Sequence, residues 1–164
     1  MARIRDSQLL VSSVLDRLID DDPDVSTETP KSRSHVLREL RLSVQRDLEN
    51  LLNTRWRSDG WPEELKELDQ SLTAYGIPDF TGAAMSSFDD RQRLKGLIEQ
   101  AIKKFEPRFK EFRVEMIKNP DASDRTIRFR IDALLYAHPS PEPVVFDSWL
   151  EPATKQFGIK QGRI

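Results

Sequence analysis

Bond-making chemistry needs a nucleophile, a set of metal ligands, a phosphate cradle or a poised acid–base pair. The 164 residues of this chain offer little toward any of them. With no cysteine, thiolate catalysis, disulfides, iron–sulfur clusters and cysteine-based zinc sites are excluded. The two histidines, His35 and His138, lie far apart beside expected loops and form no H-x-x-H or H-E-x-x-H pattern. They read as solvated side chains, because a metal site needs several converging ligands. Asp20, Asp21, Asp22 and Asp24 are dense enough to suggest a calcium loop, but the alternating ligands, turn glycine and closing glutamate are missing. The six glycines are scattered, so neither a dinucleotide fingerprint nor a P-loop can be assembled, and G-x-S-x-G is absent. Glycoside hydrolysis would need two carboxylates about 5–9.5 Å apart across a cleft. Among 28 acidic residues no pair is singled out. No catalytic residue, metal or cofactor is therefore assigned.

Two local features point to docking. The first is Phe105-Glu106-Pro107-Arg108-Phe109. Pro107 forces a corner where a helix must end. Glu106 and Arg108 then flank a rigid bend, and arginine presents a planar fork suited to carboxylates or carbonyls. The corner reads either as a preorganised contact for another protein or as a helix stop with its own internal ion pair. Substitution of either charged residue is expected to spare the isolated fold. The second feature is a small sheet whose edges carry unpaired backbone groups able to accept a strand from another chain, unless the C-terminal tail covers them.

The elements that hold these features follow from periodicity. Leu10, Val14, Leu15 and Leu18 are at helical spacing, and the Asp20–Asp24 cluster with Pro23 stops that helix. Residues 24–35 are rich in Ser, Thr and Pro and read as a mobile loop. Val36, Leu37, Leu40, Val44, Leu48, Leu51 and Leu52 predict a long helix to about Asn53, with Ser34 as N-cap. A short helix is expected from Pro62 to about Leu72. Another runs from a Ser86 or Ser87 cap to Glu106, with Leu94, Leu97, Ile98, Ala101, Ile102 and Phe105 as its stripe. The period then falls to two: Phe112, Val114, Met116; Ile127, Phe129, Ile131, Ala133; Val144, Phe146. This predicts three antiparallel strands near 110–117, 126–135 and 143–149, each with one buried face. The tail is expected to add a short helix or strand around Glu151–Phe157. The fold class is thus α+β, N-terminal helices packed on a small antiparallel sheet. Residues 1–35 form an N-terminal helix and loop, and 36–164 a single domain.

Composition bounds the partners. The 26 basic and 28 acidic residues nearly cancel, which argues against nucleic acid and anionic membranes as ligands. No apolar run is long enough for a signal peptide or a membrane span, so a cytoplasmic location is expected.

In this order and spacing the motifs resemble a known family. They are Ser13-Val14-Leu15-Asp16-Arg17-Leu18, Arg46-Asp47-Leu48-Glu49-Asn50-Leu51-Leu52-Asn53-Thr54-Arg55, Tyr75-Gly76-Ile77-Pro78-Asp79, and the Glu106-Pro107-Arg108 corner. Further on come Arg128-Phe129-Arg130-Ile131-Asp132-Ala133-Leu134-Leu135, Glu142-Pro143-Val144-Val145-Phe146-Asp147-Ser148 and Leu150-Glu151-Pro152. The chain resembles the TssE family of type VI secretion baseplate subunits. That family is similar to the wedge protein of contractile phage tail baseplates, often labelled lysozyme-like. The departures are the loop 20–35 and the tail after Phe157. The resemblance implies a structural part, not an enzyme. It implies that Glu106, Pro107 and Arg108 pack against the wedge subunits TssF and TssG. It also implies that the sheet templates polymerisation of the sheath subunits TssB and TssC, with TssK as a further candidate contact. The implied place is a baseplate docked at the inner face of the cytoplasmic membrane complex. The label also raises a peptidoglycan-cleaving muramidase as the alternative, which would need an acid of raised pKa in a cleft.

Overall fold

In the computed structural model of the chain, residues 32–56, 64–80, 87–119, 124–137 and 140–163 are described, with Asp16, Leu18, Ile19, Asp24 and Pro62 individually. Two α-helices are described from end to end, α1 (Arg33–Asn53) and α2 (Phe88–Phe105), and Asp16 and Leu18 are helical as well. Between the helices lie a two-residue strand β1 (Arg55–Trp56), two 3₁₀ turns (Lys66–Gln70 and Leu72–Ala74) and a second short strand β2 (Ile77–Pro78). After α2 come β3 (Phe109–Ile117), β4 (Ile127–Leu135), β5 (Glu142–Glu151) and β6 (Gln156–Gln161). These four form an antiparallel meander in the order β3-β4-β5-β6, while β1 and β2 pair parallel apart from it. The fold is α+β, as the change of period implies.

The alternation along β4 is what the pleat demands of a central strand covered on one face. Ile127, Phe129, Ile131, Ala133 and Leu135 are buried, and the residues between them are not. They face Val144, Phe146 and Leu150 of β5 and Phe157 and Ile159 of β6 in one core. The helices close it. Val44, Leu48, Leu51 and Leu52 line the inner face of α1, and Leu94, Ile98, Ala101 and Ile102 that of α2. Helix α1 packs along β6, α2 packs against β3, and the helices touch each other. Helix α2 is charged to suit its dipole, with Asp89 and Asp90 in the first turn and Lys103 and Lys104 in the last.

Three expectations need correction. Helix α1 is capped by Ser32, whose hydroxyl accepts from the His35 N–H at 3.3 Å, and not by Ser34. Both serines are competent caps, and the apolar stripe does not say which is used. Ser34 shares a hydrogen bond with the Ser32 hydroxyl instead. The predicted helix over 62–72 is two 3₁₀ turns, in a stretch with little apolar surface to hold a longer helix against the core. The third strand extends to Glu151. Of the two alternatives for the tail, the strand is the one that forms, a little later than expected: the chain turns over 152–155 and returns as β6, which covers β5. The predicted helix over 7–19 and the acidic cluster and loop to 31 lie almost wholly outside the described residues.

Arg55 joins three of these elements. Its guanidinium donates to the Leu52 carbonyl at 2.6 Å, closing the C-terminus of α1, and to the Lys155 carbonyl at 2.8 Å in the β5–β6 turn. Lys155 holds that turn with a positive φ of 57°. The same guanidinium lies 4.7 Å over Phe80 and 5.6 Å from the Phe157 ring. Its pKa is lowered by burial. Gly76 makes the close approach that seats β2 beside β1. Its φ is +105°, and a Cβ there would lie 2.3 Å from the Thr54 carbonyl oxygen. Gly76→Ala is expected to lower stability by about 2–4 kcal/mol, through backbone strain and a clash with backbone that cannot swing away. Urea unfolding followed by tryptophan fluorescence measures it.

Candidate functional site

The corner forms where α2 must stop. Glu106 is its C-cap, with its N–H donating to Ile102 O at 2.9 Å. Pro107 cannot continue the helix and occupies the second place of a turn that Phe109 N closes on Glu106 O. The Arg108 carbonyl then accepts from Tyr136 N at 2.8 Å, which fastens the bend to the end of β4.

The charged side chains of the corner turn inward. The Glu106 side chain is 3% exposed and that of Arg108 23%. Arg108 folds back on Glu106, with Nε donating to Oε1 at 2.7 Å and Nη2 to Oε2. Its backbone N–H donates to the same Oε1 at 3.1 Å. The rest of the guanidinium reaches α1, where Nη1 donates to Ser43 Oγ at 3.0 Å and Nη2 to Asp47 Oδ2 at 2.7 Å. Asp47 also accepts from Arg46 Nε at 3.4 Å. Arg46 Nη2 donates to Asp16 Oδ1, and Ser43 Oγ donates to Asp16 Oδ2, both at 2.6 Å. One connected network thus runs from the buried Glu106 to the N-terminal Asp16. Of the corner, only Pro107 is exposed.

Burial works against the charge on Arg108, but its hydrogen bonds and attraction to Glu106 and Asp47 more than offset this and raise its pKa. Arg46 is raised as well, chiefly by the hydrogen bond to Asp16. Tyr75 packs edge-on against Phe105, with ring centroids 5.2 Å apart. Its phenol is pushed up, first by burial and then by the charges of Asp47 and Glu106.

The sequence marks Glu106, Pro107 and Arg108, and the structure brings all three together. It misses Ser43, Arg46, Asp47 and Asp16. On a helical wheel they look like a solvated face, and only the repeated pairing of charges at three- and four-residue steps hints otherwise. His35 contacts Glu39 and Arg38 in the first turn of α1, His138 lies outside the described residues, and Asp24 is exposed. No group of His, Asp or Glu among the described residues could hold a metal ion. No described helix is long and apolar enough to cross a membrane.

The two outer strands of the sheet differ. Along β6, side chains of α1 occupy the outward backbone groups. Asn53 donates to Phe157 O at 2.9 Å and accepts from Phe157 N at 2.8 Å, and Gln45 donates to Ile159 O at 2.9 Å. Along β3 beyond Phe109, whose N–H is taken by Glu106 O, no hydrogen bond among the described residues reaches the side facing away from β4. Its inner-face residues Phe112 and Met116 are only half-buried.

Comparison with known proteins adds the following. The family model described as baseplate wedge protein gp25 matches residues 38–140, which span most of α1, the corner, β3 and β4. No curated protein matches the chain. One chain of a solved structure, "The baseplate complex from the type VI secretion system", is similar at 18% identity. The alignment covers 77% of this chain and 97% of that one, with a TM-score of 0.48.

The expectation that substitution at the corner spares the isolated fold needs correction, because both charges are used inside it. Arg108→Ala is expected to lower the stability of the isolated chain by about 3–5 kcal/mol, since it leaves Glu106 buried without its counter-charge. Arg108→Lys should recover part of this, since a point charge cannot replace a fork that reaches Glu106, Asp47 and Ser43 at once. Chemical denaturation of the three proteins measures both. A second expectation concerns alkaline pH. An unfolded tyrosine ionises near ~10. Folding holds the Tyr75 proton more tightly, so stability is full below that value and falls as pH rises through it toward the folded value. Tyr75→Phe should flatten that fall in urea titrations from about pH 9 to about pH 11.

Proposed function

The chain belongs to the family of the baseplate wedge protein gp25, and from this we propose that it is a structural subunit of a contractile type VI secretion baseplate. The family match over residues 38–140 carries the reading, since it covers both the corner and the outer strand β3. The resemblance of the sequence motifs to TssE supports the type VI assignment. In this reading the chain joins TssF and TssG to the sheath built from TssB and TssC, with TssK as a further contact. It acts at the inner face of the cytoplasmic membrane complex and breaks no bond. No observation on the described residues favours the peptidoglycan-cleaving alternative.

The corner's part is one of shape. Glu106 and Arg108 fix the bend from inside the fold and present Pro107, with exposed Lys104 and Lys110 beside it, to the wedge subunits. The sheet's part is directional. With β6 shut by Asn53 and Gln45, a strand from the sheath adds at β3 and covers Phe112 and Met116.

Two measurements test the proposal together. Pro107→Ala should leave the melting temperature nearly unchanged yet reduce co-purification with TssF and TssG by about tenfold, close to 1.4 kcal/mol. Addition of TssB and TssC should slow amide exchange in Phe109–Ile117 and leave Gln156–Gln161 as it is. Full recovery of TssF and TssG by the variant would remove the corner from the reading, and protection at β6 in place of β3 would reverse the direction.

A further inference from the structure

The face of the sheet turned away from the helices carries a charge pattern that the core does not require. Glu115 of β3 stands opposite Arg130 of β4, Arg130 opposite Asp147 of β5, and Asp147 opposite Lys160 of β6. One row thus crosses all four strands with the sign alternating at every step, and Arg130 closes on Asp147 at 2.9 Å. In the neighbouring row Arg113 stands opposite Asp132.

This pattern does what burial cannot. A slip of one residue turns the apolar set outward, but a slip of two restores it, so apolar alternation leaves register open in steps of two. Moving β3 by two residues would set Arg113 against Arg130 or Glu115 against Asp132. Like charges directly opposite each other are destabilising. The outer face therefore fixes the register by sign.

The same device reaches the open edge. Glu111, Arg113 and Glu115 are exposed and follow one another on the outer face as acidic, basic, acidic. Arg113 Nε holds Glu115 at 2.9 Å along the strand, with the two side chains 76% and 46% exposed. A pair so open to solvent is worth little, and both charges stay available to a neighbour. Glu111 has no hydrogen-bond or ion-pair partner among the described residues. On the opposite face Phe112 and Met116 are half-buried.

We propose that Glu111, Arg113 and Glu115 are specificity-determining residues of the β3 edge, which admit a strand whose outer face reads basic, acidic, basic, with apolar residues between. This rests on the reading of β3 as the acceptor edge and deepens it by naming the chemistry of the guest. Sliding such a guest by two residues in either direction sets like charges together, so it is held in one register. The order is the same read from either end, so it selects register without selecting parallel or antiparallel addition.

Two capped peptides test this by nitrogen-15 titration of the Phe112–Met116 amides at millimolar peptide. One is Val-Lys-Val-Glu-Val-Lys-Val, and the other has lysine at its centre in place of glutamate. Wild type should bind the first about 3–10-fold more tightly. Arg113→Glu should reverse the preference, as a double-mutant cycle requires of a direct pair. Arg113→Gln, which sets no like charge against Asp132, should remove most of it. Arg38→Glu makes the same change in net charge from exposed α1 and should keep the wild-type preference. Equal binding of the two peptides by wild type, or a preference that Arg38→Glu reverses as well, would overturn the charge code while leaving β3 an acceptor edge. If wild type binds neither peptide, the acceptor reading of β3 falls and the code falls with it.

Discussion

The Arg108 guanidinium is the constraint on which the arrangement turns. A carboxylate as buried as Glu106 is stable only with a counter-charge and with hydrogen bonds for both oxygens. Arg108 supplies these through Nε, Nη2 and its own backbone N–H. Because the guanidinium is planar, fixing that edge also fixes the direction of the remaining N–H groups, and these point at Ser43 and Asp47. A local helix stop thereby sets the distance between α2 and the middle of α1. The same residue's carbonyl is tied to Tyr136, so the start of β3, the end of β4 and both helices meet at one residue. Proline gives the bend its direction, and the arginine fork holds it in the tertiary structure.

A second constraint acts at the far side of the sheet. An open meander of four strands has two edges, each a risk of unwanted pairing. Here α1 covers one of them with side chains that imitate a strand. The Asn53 amide both donates to and accepts from Phe157, as a neighbouring backbone would, and Gln45 adds a donor two residues along β6. The spacing of eight residues on the helix, just over two turns and about 12 Å of rise, stretches beyond the two-residue step on the strand. Long amide side chains and the crossing of helix and strand make up the difference. The helix that receives Arg108 on one flank thus shuts β6 on another, and β3 is left as the edge without such cover.

Much of the fold was legible because burial imposes a period. Strand β4 could be read almost residue by residue, since it is central and covered on one face only. The end of α2 was legible because proline forbids its continuation. The starts and ends set by single polar contacts were not. Ser32 and Ser34 are chemically equivalent as caps, and the choice between them depends on where the chain enters. Strand β6 is short and contains Gly158, over which Trp149 lies so closely that a Cβ would come within 2.2 Å of the ring. With few alternating positions, a glycine and a lysine, it carries almost no strand signal. The candidate site divides in the same way. Glu106-Pro107-Arg108 is contiguous and stands out in sequence, but the inward turn of its charges depends on Ser43 and Asp47, more than sixty residues away. Spacing along the chain cannot report such a partnership.

That inward turn limits how the corner can work. A donor already committed to a buried carboxylate cannot also bind a neighbour without leaving that carboxylate unpaired, at a cost of several kcal/mol. A partner that pulled Arg108 outward would have to replace three acceptors at once. In the proposed docking role, contact falls on groups the fold does not need: the exposed ring of Pro107 and the exposed Lys104 and Lys110 beside it. Binding can then be reversible at the rim while the bend stays rigid beneath it. Under that proposal one corner serves both stability and assembly, because the two call on different atoms: the buried charges for the fold, the exposed rim for a partner.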